Sequence, residues 1–302
     1  MKKVNVGLYS LLSNGNASLQ TTANTGKYAM SNVQIKFVNE NLPNVTLRDS
    51  SGARVENRFD EITEIWFSFD FIVSAGSTQP FFISFGDKLP MVKLTHNINS
   101  LTGAVRLNGN IIYMSETSYA IDDNGWANVE VHYRTGADGR VDVWVNHKLA
   151  FSYSHSTNFG TAAFNYARIH HETGSQCVVL SHFIVSDEGR IGFEKFYKLN
   201  IEPSTEQTIG VGGKAEYTIS GLTAEELSGM EITGVGVCLQ PTSKDADISK
   251  LSLRLNGHNL GTADVSASGN DYTFNYAATK SGDLKWIKDD IEGKIITVTA
   301  GE

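Results

Sequence analysis

Apolar and polar residues alternate along much of this chain with the two-residue period of a β-strand. In EIWFSFDFIV, residues 64–73, the odd positions from Ile65 to Val73 are apolar and most even positions are polar. Similar short segments follow at 80–87, 91–98 and 177–187. Turn-forming clusters separate these segments, and helical periodicity is almost absent. The pattern predicts an all-β protein built as an antiparallel sandwich.

The most regular stretch is GWANVEVHYRTGADGRVDVWVN, residues 125–146. A hairpin closed by TGADG, with Arg134 opposite Arg140, would place every odd position on one face. A slip of one residue would bring charges into the core, so the sequence specifies this register strongly. The face predicted to be buried carries Val129, Val131, Tyr133, Val141, Val143 and Val145.

The opposite face of this hairpin pairs His132 with Asp142 and Glu130 with Trp144. Trp66 occupies the equivalent, mainly polar face of its own strand. The two indoles could stack on a sugar ring while the polar neighbours bond its hydroxyl groups, which makes all five residues candidate glycan ligands. The alternative is that loops cover this face, since large aromatic side chains are usually buried.

The alternation is lost over one longer segment, and this loss predicts two domains. Residues 1–201 form the first domain, and 202–213, which contains Pro203 and little alternation, form a linker. Residues 214–302 form a second, smaller β-sandwich with an Asn256-Gly257 turn. LTAEELSG, residues 222–229, is the one segment for which a helical turn or two is considered.

Composition narrows the function classes. The chain has 302 residues, is 40% apolar and carries a net charge of -8, which excludes a disordered chain and opposes a duplex nucleic-acid binder. Polar residues interrupt the short apolar patch at the N-terminus, so we expect neither a signal peptide nor a membrane insertion. Cys177 and Cys238 fall in different predicted domains, which favours buried thiols over a disulfide.

The Trp126-x-x-Val129-x-Val131 strand, its turn and the following VDVWVN resemble concanavalin A-like lectin/glucanase jelly rolls, particularly their laminin-G-like branch. VVLSHFIVSDEGRI, residues 178–191, resembles the closing strand of such modules in bacteriophage virion proteins. The resemblance covers about residues 1–200 and implies a jelly-roll sandwich. One departure is His147, which stands where the family has Gly.

The second domain resembles the small β-sandwiches that follow such modules in phage virion proteins. The residues that carry this resemblance are DADISKLSLRLNG, 245–257, and the later Trp286. The implied function is a non-enzymatic virion surface protein, either a capsid decoration or a tail component, assembled in the host bacterial cytoplasm. Its expected partners are other virion proteins, further copies of itself and a candidate host-surface glycan, with no cofactor. A receptor-binding lectin is the alternative.

Two groups of enzymes share this fold, and each has sequence motifs that can be compared with this chain. The glucanase branch needs paired glutamates flanking an Asp, and neither E-x-D-x-E nor E-x-D-x-x-E occurs. Alginate lyase-like jelly rolls are the sharper rival, since RVENR, RIHHE and FEKFYKLN resemble three of their elements. The residues concerned are Arg54, Glu56, Arg58, Ile169 and His170.

Such a lyase neutralises a uronate carboxylate with a cation or amide and moves protons with His and Tyr. Two departures oppose it here. Asn57 replaces the usual apolar residue of the first motif, and the His element follows the VDVWVN strand instead of preceding it. We therefore expect no catalytic residues.

Three short segments contain residue types that can bind metal ions. His170, His171 and Glu172 are adjacent, so on a strand they would point to alternating faces and would need further ligands. DDNG at 122–125 and DEG at 187–189 could bind calcium, but Asp, Asn and Gly are also the ordinary residues of turns. No metal is expected.

Overall fold

The computed structural model describes most of the chain and divides it into two compact units. The first contains the described residues up to Gly192, and the second contains those from Leu199 onward. The described residues are 3–6, 17–20, 33–38, 42–47, 54–73, 79–97, 100–121, 127–170, 178–192, 199–203, 207–221, 231–239, 248–264, 273–277 and 279–301.

The first unit is built from antiparallel strands. In chain order these are β1 (Lys3–Val6), β2 (Ala17–Gln20), β3 (Val33–Val38), β4 (Leu42–Leu47), β5 (Arg54–Ile62), β6 (Glu64–Val73), β7 (Gln79–Ser84), β8 (Met91–Asn97), β9 (Ser100–Leu107), β10 (Asn110–Met114), β11 (Tyr119–Ala120), β12 (Ala127–Arg134), β13 (Arg140–Val145), β14 (Lys148–Ser154), β15 (Phe164–His170) and β16 (Val178–Ser186).

These strands form two sheets. Sheet A has the order β14-β13-β12-β6-β16-β4-β3, and β1 also pairs with β16. Sheet B has the order β10-β9-β8-β7-β15-β5-β2, and β11 also pairs with β9. Neighbours along the chain are often not neighbours in the sheet, as when β6 lies between β12 and β16. The first unit is an antiparallel jelly-roll sandwich, which confirms the sandwich predicted from the alternation and the jelly roll that the resemblance implies.

The β12–β13 hairpin has the predicted register, with Val131 opposite Val143 and Arg134 opposite Arg140. Strand β12 also pairs with β6, where Val129 lies opposite Phe69. The valines and Tyr133 of this face are buried, and Phe69 is fully buried with them. Burial of each large apolar side chain stabilises the fold by about 1.5–3 kcal/mol, so this face holds sheet A against the core.

Aromatic rings from the two sheets meet in the core. Phe69 and Phe71 of β6 lie with ring centroids 6.2 and 5.2 Å from Phe81 of β7. Phe67 lies edge to face with Phe85, at 6.4 Å. None of these five side chains is more than 1% exposed. The odd positions of EIWFSFDFIV and PFFISF therefore close against each other, as the alternation requires.

Residues 104–115, AVRLNGNIIYMS, form a hairpin instead of one continuous strand. They contain the end of β9 and all of β10, joined by a turn in which Asn108 and Gly109 have φ angles of 51° and 83°. Two consecutive positive φ angles are typical of the tight hairpin turn that favours Asn-Gly. The dipeptide therefore reverses the chain instead of extending the strand.

The second unit is a smaller antiparallel β-sandwich, as predicted. Its elements are β17 (Asn200–Glu202), β18 (Lys214–Ser220), β19 (Val235–Leu239), β20 (Lys250–Leu255), β21 (His258–Asp264), β22 (Thr273–Ala277), a 3-10 helix (Lys288–Asp290) and β23 (Ile295–Gly301). The larger sheet has the order β17-β18-β23-β20-β21, and β19 pairs with β22. Val237 of the smaller sheet packs in one core with Leu253, Leu255 and the buried Trp286.

The described part of the second unit begins at Leu199, whereas the sequence predicts a boundary after residue 201 and a linker over 202–213. Strand β17 pairs with β18, and Ile201 lies opposite Ile219. The backbone of Gly212 and Gly213 bonds to Ala300 of β23. Part of the segment assigned to the linker is thus hydrogen-bonded within the second unit.

Several sequence predictions lie outside the described residues. These are Cys177, the 122–125 turn, the segment 222–229, His171 and Glu172. Cys238 lies in β19, and its side chain is also outside them. Within the described ranges, no helix is both long enough and apolar enough to span a membrane.

Candidate functional site

The five predicted ligands lie together on the outer face of sheet A, the face turned away from sheet B. Strand β12 lies between β6 and β13. His132 is opposite Trp66 on one side and Asp142 on the other, and Glu130 is opposite Trp144. Strand alternation therefore brings residues from three strands into one cluster.

The two indoles are half-buried and in contact. The Trp66 and Trp144 ring centroids are 5.3 Å apart, with the planes tilted by 33°. His132 stacks on Trp66 at 4.2 Å and 11°. The Arg190 guanidinium lies over the Trp144 ring, 4.9 Å from its centroid. Each indole thus has a covering neighbour but stays partly accessible to solvent.

His132 joins two carboxylates. Its Nδ1 lies 3.0 Å from Asp142 Oδ2 and its Nε2 lies 2.8 Å from Glu64 Oε1. A neutral imidazole has one N–H donor, whereas a protonated ring has two. Both contacts can be donated hydrogen bonds to ionised carboxylates only when the ring is protonated.

Asp142 is held in its charged form. Burial alone would raise the pKa of its carboxyl group, but hydrogen bonds from His132, Arg140 and Ser152 outweigh burial and lower the pKa to about 2. Arg140 Nη2 donates to Asp142 Oδ1 at 2.8 Å. The result is a buried anion with donors on both oxygens.

Glu130 has a carboxylate that is completely buried. Its Oε1 accepts the backbone N–H of Ile191 at 2.6 Å, and the N–H of Gly192 lies 3.3 Å from both carboxylate oxygens. Arg190 Nε donates to Oε2 at 3.3 Å, and Arg190 Nη2 donates to the His147 carbonyl at 2.8 Å. Glu130 therefore fastens the segment after β16 across the outer face of sheet A.

The structure thus brings the five candidates together and adds two residues that sequence reasoning missed, Glu64 and Arg190. The polar atoms of Glu130, His132 and Asp142 bond within the chain, and the two indoles remain partly exposed. Their role as glycan ligands stays a prediction. Arg190 carried a usable signal, since it lies in the DEGRI phrase quoted for the closing strand.

The residues of the lyase hypothesis lie in sheet B. Strands β5 and β15 pair, with His170 opposite Arg54 and Arg168 opposite Glu56. Ile169 is buried in the core. The side chains of residues 54–58 and most of FEKFYKLN lie outside the described residues.

One of the two candidate calcium segments, DEG at 187–189, lies within the described residues. The DEG segment forms the bends after β16, where Ser186 Oγ accepts the N–H of Glu188 at 3.1 Å. Among the residues whose positions are described, no group of three or more His, Cys, Asp or Glu side chains could hold a metal ion.

No protein-family model matches the chain, and no curated protein matches it. Among solved structures it is similar to the binding domain of Paraclostridial mosquitocidal protein 1, with a TM-score of 0.41 and 14% identity over 60% of this chain. An alginate lyase matches with a TM-score of 0.42 and 13% identity over 64% of this chain. The Bacillus licheniformis β-glucanase matches with a TM-score of 0.43 and 8% identity over 61% of this chain.

These matches cover 48% of the mosquitocidal domain, 100% of the lyase and 97% of the glucanase. The chain therefore spans about half the length of the first of these proteins. One of these three proteins is a binding domain and the other two are enzymes.

Proposed function

We propose that the first unit binds glycans through the Trp66–Trp144 pair on the outer face of sheet A. The supporting observation is that two half-buried indoles lie in contact, 5.3 Å apart, on a face lined with hydrogen-bonding side chains. An indole combines an apolar body, which suits the C–H groups of a sugar ring, with one N–H donor.

The surrounding network supports this proposal because it fixes the indoles before any ligand arrives. His132 packs against Trp66 and Arg190 against Trp144. Side chains that are already ordered lose little rotamer freedom on binding, so more of the contact energy appears as affinity. In this proposal His132, Asp142 and Glu130 position the aromatic pair.

A glycan array probed with the full chain tests the proposal. We expect Trp144→Ala and Trp66→Ala each to weaken binding by about tenfold or more, which corresponds to about 1.4 kcal/mol. Leu284→Ala removes another exposed apolar side chain, in the second unit, and serves as the matched control. Unchanged binding in both Trp variants, or an equal loss in the control, would contradict the proposal.

We further propose that the protein is a non-enzymatic component of a bacteriophage virion surface, on capsid or tail, with other virion proteins and further copies of itself as partners. The resemblance of residues 178–191 and of residues 245–257 to modules of phage virion proteins supports this placement. Mass spectrometry of purified particles should detect the protein in stoichiometric amount, and its absence from them would contradict the placement.

A polysaccharide lyase is the second candidate, because β5 and β15 are paired with His170 directly opposite Arg54. A lyase would place a cation beside a uronate carboxylate and a His beside the proton to be moved. Incubation with polyuronates should then produce the ultraviolet absorbance of unsaturated uronate ends, and His170→Ala should abolish it. No absorbance with any polyuronate would eliminate this candidate.

A further inference from the structure

Four neighbouring strands of sheet B are free of acidic residues. The chain has 33 Asp and Glu against 25 Lys and Arg, yet QPFFIS, MVKLTHN, SLTGAVRL and FNYARIH contain neither Asp nor Glu. The same four strands, β7, β8, β9 and β15, carry Lys93, Arg106, Arg168 and His170. These four strands are a local cationic feature in a chain of net charge -8. The next strand of the sheet, β5, does carry acidic residues, and its Glu56 lies opposite Arg168.

These four side chains share the outer face of sheet B, the face turned away from sheet A. Their chain neighbours Val92, Val105 and Ile169 are completely buried, and successive residues of a strand point to opposite faces. His170, Phe82 and Lys93 lie in one row across β15, β7 and β8. Arg106 lies opposite Met91 in the neighbouring row.

The Phe82 ring holds Arg106 and His170 in place. Phe82 points outward but is only 1% exposed. The Arg106 guanidinium lies over its ring at 5.3 Å, and His170 stacks on it at 5.3 Å and 19°. Such contacts restrain long side chains in advance, which lowers the entropy cost of binding a ligand.

A second anchor holds Arg168. Its guanidinium lies over the Tyr166 ring at 4.3 Å, and its Nη1 is 3.7 Å from Asp87 Oδ1. Tyr166 in turn donates a hydrogen bond of 2.7 Å to Asp87. Asp87 follows β7 and is itself largely exposed, so it orients Arg168 from the end of the strand.

We propose that this surface, defined by Lys93, Arg106, Arg168 and His170 around Phe82, binds a polysaccharide that carries carboxylate groups. Guanidinium groups bind carboxylates with paired, charge-assisted hydrogen bonds. The strands are about 4.8 Å apart, so cations on β8, β9 and β15 can contact successive charged sugars of one chain. The surface lies on the other sheet from Trp66 and Trp144 and does not depend on them. It shares His170 and the class of ligand with the lyase candidate, and it differs in predicting binding without the ultraviolet absorbance of unsaturated uronate ends.

A nucleic acid is the competing anionic ligand, and the described residues favour it less. Single-stranded nucleic acids bind largely through bases stacked on aromatic rings. Phe82 and Tyr166 are both buried, so neither offers a free ring face to a base. The carboxylate groups of a polysaccharide bind charged side chains and do not need a free aromatic ring.

The test measures affinity of the full chain for polygalacturonate by calorimetry, with dextran as the neutral comparison. We expect binding to polygalacturonate only at this surface, and a loss of about tenfold or more in the double variant Lys93→Gln/Arg106→Gln. Arg254→Gln removes one positive charge from an exposed strand position in the second unit and should leave the affinity unchanged. Trp144→Ala should also leave it unchanged, which separates this proposal from the first one.

Two outcomes measured on the unmodified chain would overturn the inference, and neither depends on whether a variant folds. The first is an affinity of the unmodified chain that stays constant between about 0.05 and about 0.5 M NaCl, since ion pairs with an exposed polyanion weaken with salt. The second is tighter binding of poly(dT) than of polygalacturonate. Equal loss in the double variant and in Arg254→Gln would also overturn it.

Discussion

Asp142 is the residue whose ionisation state has the clearest consequence for stability. Its pKa is lowered from 3.8 to about 2 in the folded chain. A group with a depressed folded pKa stabilises the folded state above its unfolded pKa, and this contribution disappears as the pH falls from about 3.8 to about 2. The contribution is about 2 kcal/mol, since the carboxylate is buried and each pKa unit corresponds to about 1.4 kcal/mol.

We therefore expect Asp142→Asn to lower the free energy of unfolding at neutral pH by about 2 kcal/mol and to reduce its further fall between about pH 4 and pH 2. Urea denaturation of the variant and the unmodified chain over this range measures both effects. Curves for the two proteins that run parallel down to about pH 2 would show that the His132–Asp142–Arg140 contacts do not stabilise the carboxylate.

His147 is a residue under backbone strain. Asn146 and His147 have φ angles of 47° and 66°, and the equivalent turn in the second unit uses Asn256 and Gly257 at 47° and 82°. A residue with a Cβ atom is disfavoured in this conformation, whereas Gly adopts it readily. We expect His147→Gly to raise the free energy of unfolding by up to about 1 kcal/mol, measured by chemical denaturation.

Gly257→His is the reverse control and should lower the stability of the second unit by about 1 kcal/mol. Destabilisation by His147→Gly would show that contacts of the imidazole outweigh the strain.

The segment after β16 depends on one buried carboxylate. Glu130 accepts the N–H groups of Ile191 and Gly192 and pairs with Arg190. Glu130→Gln removes the charge and replaces one acceptor with a donor, so at least one of the three N–H donors around the carboxylate loses its acceptor. We expect a loss of about 2–3 kcal/mol and faster hydrogen exchange at the amides of Ile191 and Gly192.

Glu61→Gln is the matched control, because Glu61 is an exposed carboxylate on β5. Exchange at Ile191 and Gly192 that is equally fast in both variants would contradict the anchoring role of Glu130.

The elements also show how far the sequence could predict this fold. The face and register of β12 and β13 followed from the alternation and the turn, because a slip of one residue would place charges in the core. The alternation identifies the outer face of each strand but not what covers it. Glu130 and Ile191 are separated by 61 positions, and no local pattern pairs them. The same limit applies to β17, which is too short for its partner sheet to be predicted.

The candidate site was predictable in part for the same reason. Trp66, His132 and Asp142 share a face by strand parity once the strands are identified. Their contacts depend on which strands are neighbours, and β6 joins β12 across a long connection in the chain. The cationic surface of sheet B needed the order β9-β8-β7-β15, which period-two alternation does not specify.

At the scale of the whole molecule, each unit has its own hydrophobic core. Val131 is completely buried in the first, and Leu253 is completely buried in the second among Leu255, Val298 and Trp286. Units with separate cores can unfold in separate transitions. We expect scanning calorimetry of the full chain to resolve two transitions.

Core substitutions then assign the two transitions. Leu253→Ala leaves a cavity and should destabilise the second unit by about 2–5 kcal/mol, whereas Val131→Ala removes less volume and should cost the first unit somewhat less. Each substitution should lower the temperature of one transition and leave the other in place. If either substitution shifted both transitions by the same amount, the two cores would unfold as one cooperative unit, and a ligand bound to the first unit would then stabilise the whole chain.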